Sequence, residues 1–309
     1  MKKRKKILIV GGTGFIGFHL AIQLVKKNYI VTSLSTKLPT KKRKVSRVSY
    51  LICDICKFNQ LKKILNKNKE FDYVINLGGY VDHSNKKKTF KSHYVGCKNL
   101  ANYFLKKKIK RFIQLGSSVE YGNSNSPQIE NRVTEEKKLK STYGIAKLKA
   151  TNFLLQLFKK NNFPVTILRL YLAYGPNQDV NRFLPIIITN CLLKKKFPCS
   201  NGIQYRDFLY IDDLVNLIEK LLNSKKLLNG QIFNAGSGKP QKLKTIIKLI
   251  VKKLNGGIPE YGKVKLRKDE IIKLYPNIKK VKLFTSWRPK ITFKNGLKKT
   301  ILYYEEKFT

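Results

Sequence analysis

Two side chains that could exchange a proton stand four residues apart in Tyr143-Gly-Ile-Ala-Lys147. On a helix that spacing puts phenol and ammonium on one face, a turn apart. A tyrosine with an ordinary pKa of about 10 gives up its proton poorly at neutral pH. A neighbouring cation favours the phenolate and makes acid–base work feasible. In a chain with 65 lysines and arginines such a pair can arise by accident. What gives it weight is the order of parts before it. A serine pair, Ser117-Ser118, follows the expected strand Arg111–Leu115 and Gly116, and the stretch KKILIVGGTGFIGFHL, Lys5 to Leu20, lies near the start of the chain.

These groups need elements to hold them, and the apolar pattern supplies candidates. Ile7 to Val10 is short, continuous and three-quarters β-branched, as suits a strand buried on both faces of a parallel sheet. Gly11, Gly14 and Gly17 then recur every third residue, while Phe15, Ile16, Leu20 and Leu24 continue at helical spacing. In a strand–turn–helix context, glycines of this kind let the chain turn sharply. They also let a pyrophosphate approach the helix N-terminus and let helix pack close on strand. Further strands are expected at 29–35, 48–55, 71–77, 111–115 and 164–170, with helices around 89–107 and 142–160. Leu148, Leu154, Leu155 and Phe158 form the core face of the second helix. The alternation predicts an α/β fold with a doubly wound parallel sheet. Beyond Gly175-Pro176 the pattern loosens into helices at about 183–193, 212–222 and 243–254, with a strand at 231–235.

Ligands of such sheets sit outside the carboxyl ends of the strands. A dinucleotide is therefore expected to touch Gly11, Thr13, Gly14, Phe15, Ile16 and Gly17 of the turn, and Ser35 and Lys37 after the second strand. Asp54 and Ile55 after the third strand, and Leu77, Gly78 and Gly79 after the fourth, complete that set.

Composition narrows the function classes. The 309 residues suffice for one large domain or two modest ones. The basic start Met1–Lys6 is followed by only four apolar residues, too few for a secretory h-region. The longest apolar stretch, Phe183 to Leu193, is interrupted by Pro185, Thr189 and Asn190, so no membrane span is expected. The five cysteines read as reduced thiols in a cytoplasmic protein. Cys53 and Cys56 form a CxxC, but no second pair or histidine cluster completes a zinc site, and no metal is expected. A net charge of +47 would ordinarily point to nucleic acid or an anionic membrane. Yet the lysines dot almost every segment rather than one arm or face, and only ten of the 65 basic residues are arginine. That pattern reads as a solvated lysine surface that attracts anionic ligands in a salt-dependent way.

Taken together, the glycine turn, the strand-end serine and the YxxxK resemble the extended short-chain dehydrogenase/reductase family, in its nucleotide-sugar branch of NAD-dependent epimerases and dehydratases. Gly11–Gly17 matches the cofactor turn GxxGxxG, and Leu115–Gly122 matches the segment that supplies the catalytic Ser or Thr. Leu168-Arg169 through Tyr174-Gly175-Pro176, Arg206-Asp207-Phe208 with Tyr210, Asp212 and Asp213, Asn234–Gly238 and Trp287-Arg-Pro289 match later family segments. The resemblance implies a Rossmann domain from 1–170 and 207–240, with a nucleotide-sugar-binding part from 171–206 and 241–309. It implies Ser117, Tyr143 and Lys147 as catalytic residues, the last two also touching the cofactor. It further implies a substrate site of Ser117, Ser118, Tyr143 and Phe197, with Arg206 and Arg267 on the diphosphate. Guanidinium forks suit such oxygens better than lysine point charges do. A homodimer through a helix bundle that includes Thr142–Lys160 is also implied, as is surface polysaccharide as the usual destination of the product in bacteria.

Departures from the family pattern sort the reactions. Dehydratases resemble one another in a Thr-Asp-Glu triplet where this chain has Ser117, Ser118 and Val119, with Glu120 one residue late and expected on the other face. The second strand ends in Ser35 rather than in the acid that binds an NAD ribose, and Lys37 and Lys41–Arg43 follow. The missing acid favours NADP(H) and leaves NAD(H) open. Leu172 and His93 stand where epimerases often carry asparagines. Residues 182–208 look most like reductases of nucleotide-linked 4-keto-6-deoxyhexoses, such as CDP-abequose and CDP-paratose synthases. The expectation is an NADPH-dependent ketoreductase, with a 4-epimerase holding NAD as the same-fold alternative. A non-catalytic nucleic-acid-binding protein is the alternative from another class, against which the intact catalytic residues count.

Overall fold

The computed structural model describes residues 4–308 apart from 69, 133, 225 and 267–269. In chain order the first half runs β1 (Lys6–Val10), α1 (Phe15–Lys26), β2 (Ile30–Ser35), β3 (Val48–Ile52), α2 (Phe58–Lys67) and β4 (Tyr73–Asn76). It continues with α3 (Lys86–Phe90), α4 (Gly96–Phe104), β5 (Arg111–Ser117), α5 (Thr142–Asn161) and β6 (Val165–Leu170). The second half adds β7 (Leu172–Tyr174), α6 (Phe183–Leu192), β8 (Lys196–Cys199), β9 (Tyr205–Tyr210), α7 (Ile211–Asn223) and β10 (Gln231–Ala235). It ends with β11 (Pro240–Lys242), α8 (Leu243–Leu254), β12 (Ile258–Tyr261), β13 (Lys273–Leu274), α9 (Lys279–Thr285) and α10 (Phe293–Phe308).

Seven strands form one parallel sheet in the order β10-β6-β5-β4-β1-β2-β3. The continuous apolar runs are explained by burial on both faces. Ile7 and Ile9 point into the core under α1 and α7, and Leu8 and Val10 into the core under α2, α4 and α5. The chain winds from β1 outward to β3 and then crosses to β4, so the strand order reverses between β1 and β4. That reversal opens the crevice in which ligands of such sheets bind. A smaller sheet holds β11, β9 and β13, with β7 also paired to β9, and β8 pairs with β12.

The helix expected over 89–107 is divided. α3 and α4 flank a wider turn at Lys91–Val95 with π-helical hydrogen bonding, an irregularity that recurs at functional sites. α5 starts where the Ser141 hydroxyl caps the Gly144 amide at 3.0 Å and ends at Asn162 in the left-handed region. α2, α9 and α10 go beyond the sequence expectation. Among the described residues, no helix is long and apolar enough to cross a membrane.

Candidate active site

The first component lies at the crevice. Gly11, with φ of +80°, ends β1, and its amide donates to the Leu34 carbonyl at 2.8 Å. A Cβ at Gly17 would fall 2.4 Å from the Gly11 carbonyl oxygen and 2.5 Å from Gly12 Cα, so only glycine lets α1 lie this close to the turn. Gly14 occupies the N-cap with no side-chain cap, and the first turn of α1 holds no acid. The amides there are left for an outside acceptor, as a pyrophosphate requires. The donor set fits a dinucleotide.

The walls of this crevice come from the other strand ends. The Thr13 amide donates to Ser35 Oγ at 3.4 Å, which ties the turn to the end of β2. Asp54 accepts from the Cys56 amide at 2.9 Å, and the Asn99 side chain holds the Ile55 carbonyl at 2.9 Å. Past β4, Leu77 lies against the apolar core, and the Gly78 amide donates to Asn76 Oδ1 at 3.1 Å. Lys37 is exposed two residues past the end of β2. Arg43, expected among the cations there, turns instead to the loop after β7. It donates to the Asn177 carbonyl at 2.7 Å and pairs with Asp179 at 2.7 Å.

The second component sits where β5 meets α5. Lys147 is buried, and its ammonium donates to the Leu115 carbonyl at 2.6 Å, two residues before Ser117. The same ammonium lies 5.9 Å from the Tyr143 ring centre. Gly144 leaves room for the Ser141 hydroxyl that caps the helix, which a Cβ there would crowd at 3.0 Å. Ser117 and Ser118 are buried on the strand-end turn, so the three residues expected to catalyse share one corner of the fold. Glu120 is 0% exposed and faces away into the core, paired with Arg169 at 3.0 Å.

Two histidines, His83 unforeseen as a site residue, enclose Tyr143. The His83 ring stacks on the phenol with centres 4.0 Å apart, and His93 meets it edge-on at 4.9 Å. His93 comes from the π turn, and its Nε2–H donates to the Tyr80 carbonyl, 3.1 Å away. It fits only because Gly79 lacks a Cβ, which would fall 1.9 Å from the imidazole. Burial, and then the Lys147 charge, push the His93 pKa down to about 2. His83 is also lowered, by burial first and then by Arg182 and Lys147. Both rings are neutral at physiological pH. The only local sequence signal for His83 was its place six residues after Leu77 at the end of a strand.

The expected substrate side is arranged differently from its sequence picture. Phe197 is buried in the core beside α6 and offers no surface to a ligand, because β8 turns that residue inward. Arg206 pairs with Glu270 and donates to the carbonyls of Tyr205 at 2.9 Å and Ile272 at 3.3 Å. Arg267 lies outside the described residues. Asp207 and Asp213 brace the region. Asp207 accepts from the Ser237 and Lys239 amides, and Asp213 from the Lys290 and Ile291 amides. Trp287, fully buried, donates its indole N–H to the Asp213 carbonyl at 3.1 Å. Among the described residues, no group of three or more His, Cys, Asp or Glu could hold a metal.

Residues 7–236 match the model of the NAD dependent epimerase/dehydratase family. The chain belongs to that family. It is therefore an enzyme of the extended short-chain dehydrogenase/reductase class, whose cofactor is a nicotinamide dinucleotide. Human dTDP-D-glucose 4,6-dehydratase is 29% identical over 329 residues, which cover 98% of this chain and 91% of that protein. The UDP-N-acetyl-alpha-D-glucosaminuronate decarboxylase of Bacillus cytotoxicus is 26% identical over 321 residues, 98% of each chain. Among solved structures, a UDP-glucose 4-epimerase from Thermotoga maritima with UDP-glucose superposes with a TM-score of 0.87 at 23% identity, covering 98% of this chain and 100% of the other. A UDP-glucuronic acid 4-epimerase from Bacillus cereus, complexed with UDP-glucuronic acid and NAD, gives 0.88 at 24%, covering 98% and 99%. These two likenesses establish the fold.

Proposed function

We propose that this family member interconverts a carbinol and a ketone at C4 of a nucleoside-diphosphate hexose, and that its net reaction is reduction of a 4-keto-6-deoxyhexose with NADPH. The observation that carries this reading is the absence of a carboxylate facing Tyr143 from the strand-end turn. Ser118 and Val119 are not acids, and the one carboxylate of the turn, Glu120, is fully buried and engaged by Arg169. Elimination of water needs an acid and a base beside the sugar, whereas reduction of a ketone needs one proton donor and one oxygen ligand.

When bound, the nicotinamide dinucleotide supplies the hydride. Tyr143 delivers the proton to the nascent C4 alkoxide, and the Ser117 hydroxyl donates a hydrogen bond to the same oxygen. Lys147 holds the cofactor ribose, and Arg206 takes the diphosphate in exchange for Glu270. Ser35, in place of an acid at the end of β2, and the exposed Lys37 support the phosphorylated cofactor. Arg43, already engaged by Asp179, favours a second reading with NAD retained and hydride returned to the sugar, a 4-epimerase. We also read the chain as a homodimer, with partly buried Phe153, Leu155 and Leu157 of α5 in the contact.

The test mixes purified protein with NADPH and a panel of nucleotide-linked 4-keto-6-deoxyhexoses while the absorbance of the reduced nicotinamide is followed. Stoichiometric loss that Tyr143→Phe abolishes is expected. No loss on the panel, together with interconversion of UDP-hexoses by NAD-loaded protein, overturns the reductase reading in favour of the epimerase.

A further inference from the structure

Ser117 and Glu120 form a capping box on the short helical turn Ser118–Tyr121. Ser117 Oγ accepts from the Val119 amide at 3.5 Å, and Glu120 Oε1 accepts from the Ser117 amide at 2.7 Å. Such boxes usually finish exposed helix ends, but this one is buried at the strand end that carries the reacting oxygen's ligand. Its acid is also tied on the far side. Glu120 Oε2 accepts from Thr151 Oγ1 at 2.8 Å and from Arg169 Nε at 3.0 Å. Thr151 is one turn beyond Lys147 on α5, and Arg169 is on β6. One carboxylate therefore joins the Ser117 backbone, the helix of Tyr143 and Lys147, and the neighbouring strand. Gly116 leaves the space that this needs, since a Cβ there would stand 2.6 Å from Glu120 Oε1.

We infer that Glu120 is a positioning residue for Ser117: its buried carboxylate fixes the serine relative to Tyr143 and Lys147, and the capping box aims the hydroxyl proton. An oxygen that accepts the Val119 N–H keeps its own O–H for another acceptor, so Ser117 is set as a donor to the sugar oxygen. A donor of this kind is worth most when it is already oriented before charge develops. Burial of the carboxylate against Arg169 keeps its charge compensated, so the tie holds geometry without placing a free acid beside the substrate.

The inference rests on the proposed C4 chemistry, and the test separates the two. Gly116→Ala is the main perturbation, because its methyl group displaces Oε1 from the Ser117 amide while the Arg169 contact can persist. With NADPH and the turned-over member of the ketosugar panel, kcat is expected to fall about 10- to 100-fold with KM within about threefold, as for a misplaced reacting group. In a Ser117→Ala background the same change is expected to add less than about twofold, because the group being positioned is gone. Asp72→Asn, which weakens the contacts to the Lys6 amide and Lys110 at the amino-terminal end of the sheet, opposite the site, serves as the stability control and is expected to leave kcat within about twofold. The second readout needs no substrate. The Ser117 amide proton, bonded to a carboxylate, is expected far downfield in the NMR spectrum and is expected to move upfield in Gly116→Ala and Glu120→Gln. Additive losses in the double variant, or an unmoved amide resonance, overturn the inference. If the wild type turns over nothing on the panel, the C4 reading fails, and the amide resonance alone decides whether Glu120 holds Ser117.

Discussion

His93 makes stability depend on pH in a way that can be worked out from its surroundings. The ring is 7% exposed, lies beside the Lys147 ammonium, and has its pKa moved from 6.5 to about 2, with burial the larger cause. The unfolded chain, with an ordinary imidazole, binds a proton through a range in which the folded chain does not. Stabilisation from this histidine is therefore fully present above pH 6.5 and is lost as the pH falls toward 2. At about 1.36 kcal/mol per unit, the loss is about 2 kcal/mol at pH 5. That figure needs only a folded pKa well below the pH of the measurement. The assay is urea unfolding of wild type and His93→Gln at a series of pH values from neutral to pH 5. His19 and His83, whose pKa values are also lowered by burial, are present in both proteins and cancel in the difference. Wild type is expected to lose about 2 kcal/mol more than the variant between neutrality and pH 5. Parallel pH slopes, or a His93 imidazole that titrates near its ordinary value in NMR, would refute the reasoning.

Other outcomes follow from single contacts. Gly17→Ala puts a methyl group 2.4 Å from the Gly11 carbonyl oxygen, where only backbone could move. Stability should fall by about 1–3 kcal/mol in denaturant unfolding, and fluorescence titration should show at least tenfold weaker NADH and NADPH binding. Asp213→Asn gives one of the two amides, Lys290 or Ile291, a neutral acceptor and leaves the other facing an NH2 group with no acceptor. A loss of about 1.5–3 kcal/mol is expected in the same unfolding assay. Ser35→Asp places a carboxylate at the end of β2, beside the glycine turn. The ratio of NADPH to NADH affinity should then fall at least tenfold, and an unchanged ratio would remove Ser35 from cofactor selection.

The large sheet was legible because its strands are buried on both faces. A run such as Ile7–Val10 needs no alternation and ends at glycine. The glycine turn was legible for a steric reason, since its spacing is what close packing of α1 on β1 demands. α10 was hidden by lysine and glutamate pairs that dilute its apolar stripe, although Leu297, Ile301 and Tyr304 are buried. The π turn was hidden because one extra residue in a helix hardly disturbs the apolar spacing, yet it is what delivers His93 against Tyr143. Ion pairs were the least accessible. Arg43 meets Asp179 and Arg206 meets Glu270 across more than sixty residues each, and no local pattern announces which anion a cation will find. Glu120 was expected on the face away from the serines; its carboxylate is instead buried behind Ser117 and bonded to the Ser117 amide, a tie that became apparent only from the folded turn.

The most direct measurement of the central claim follows an isotope. NADPH carrying deuterium at the transferable nicotinamide position is incubated with the enzyme and its ketosugar, and the product is examined by proton NMR. The account predicts deuterium at C4 of the hexose, one atom per NADPH consumed, with no transfer by Tyr143→Phe. Deuterium at another carbon, or transfer that survives loss of the tyrosine hydroxyl, would contradict it.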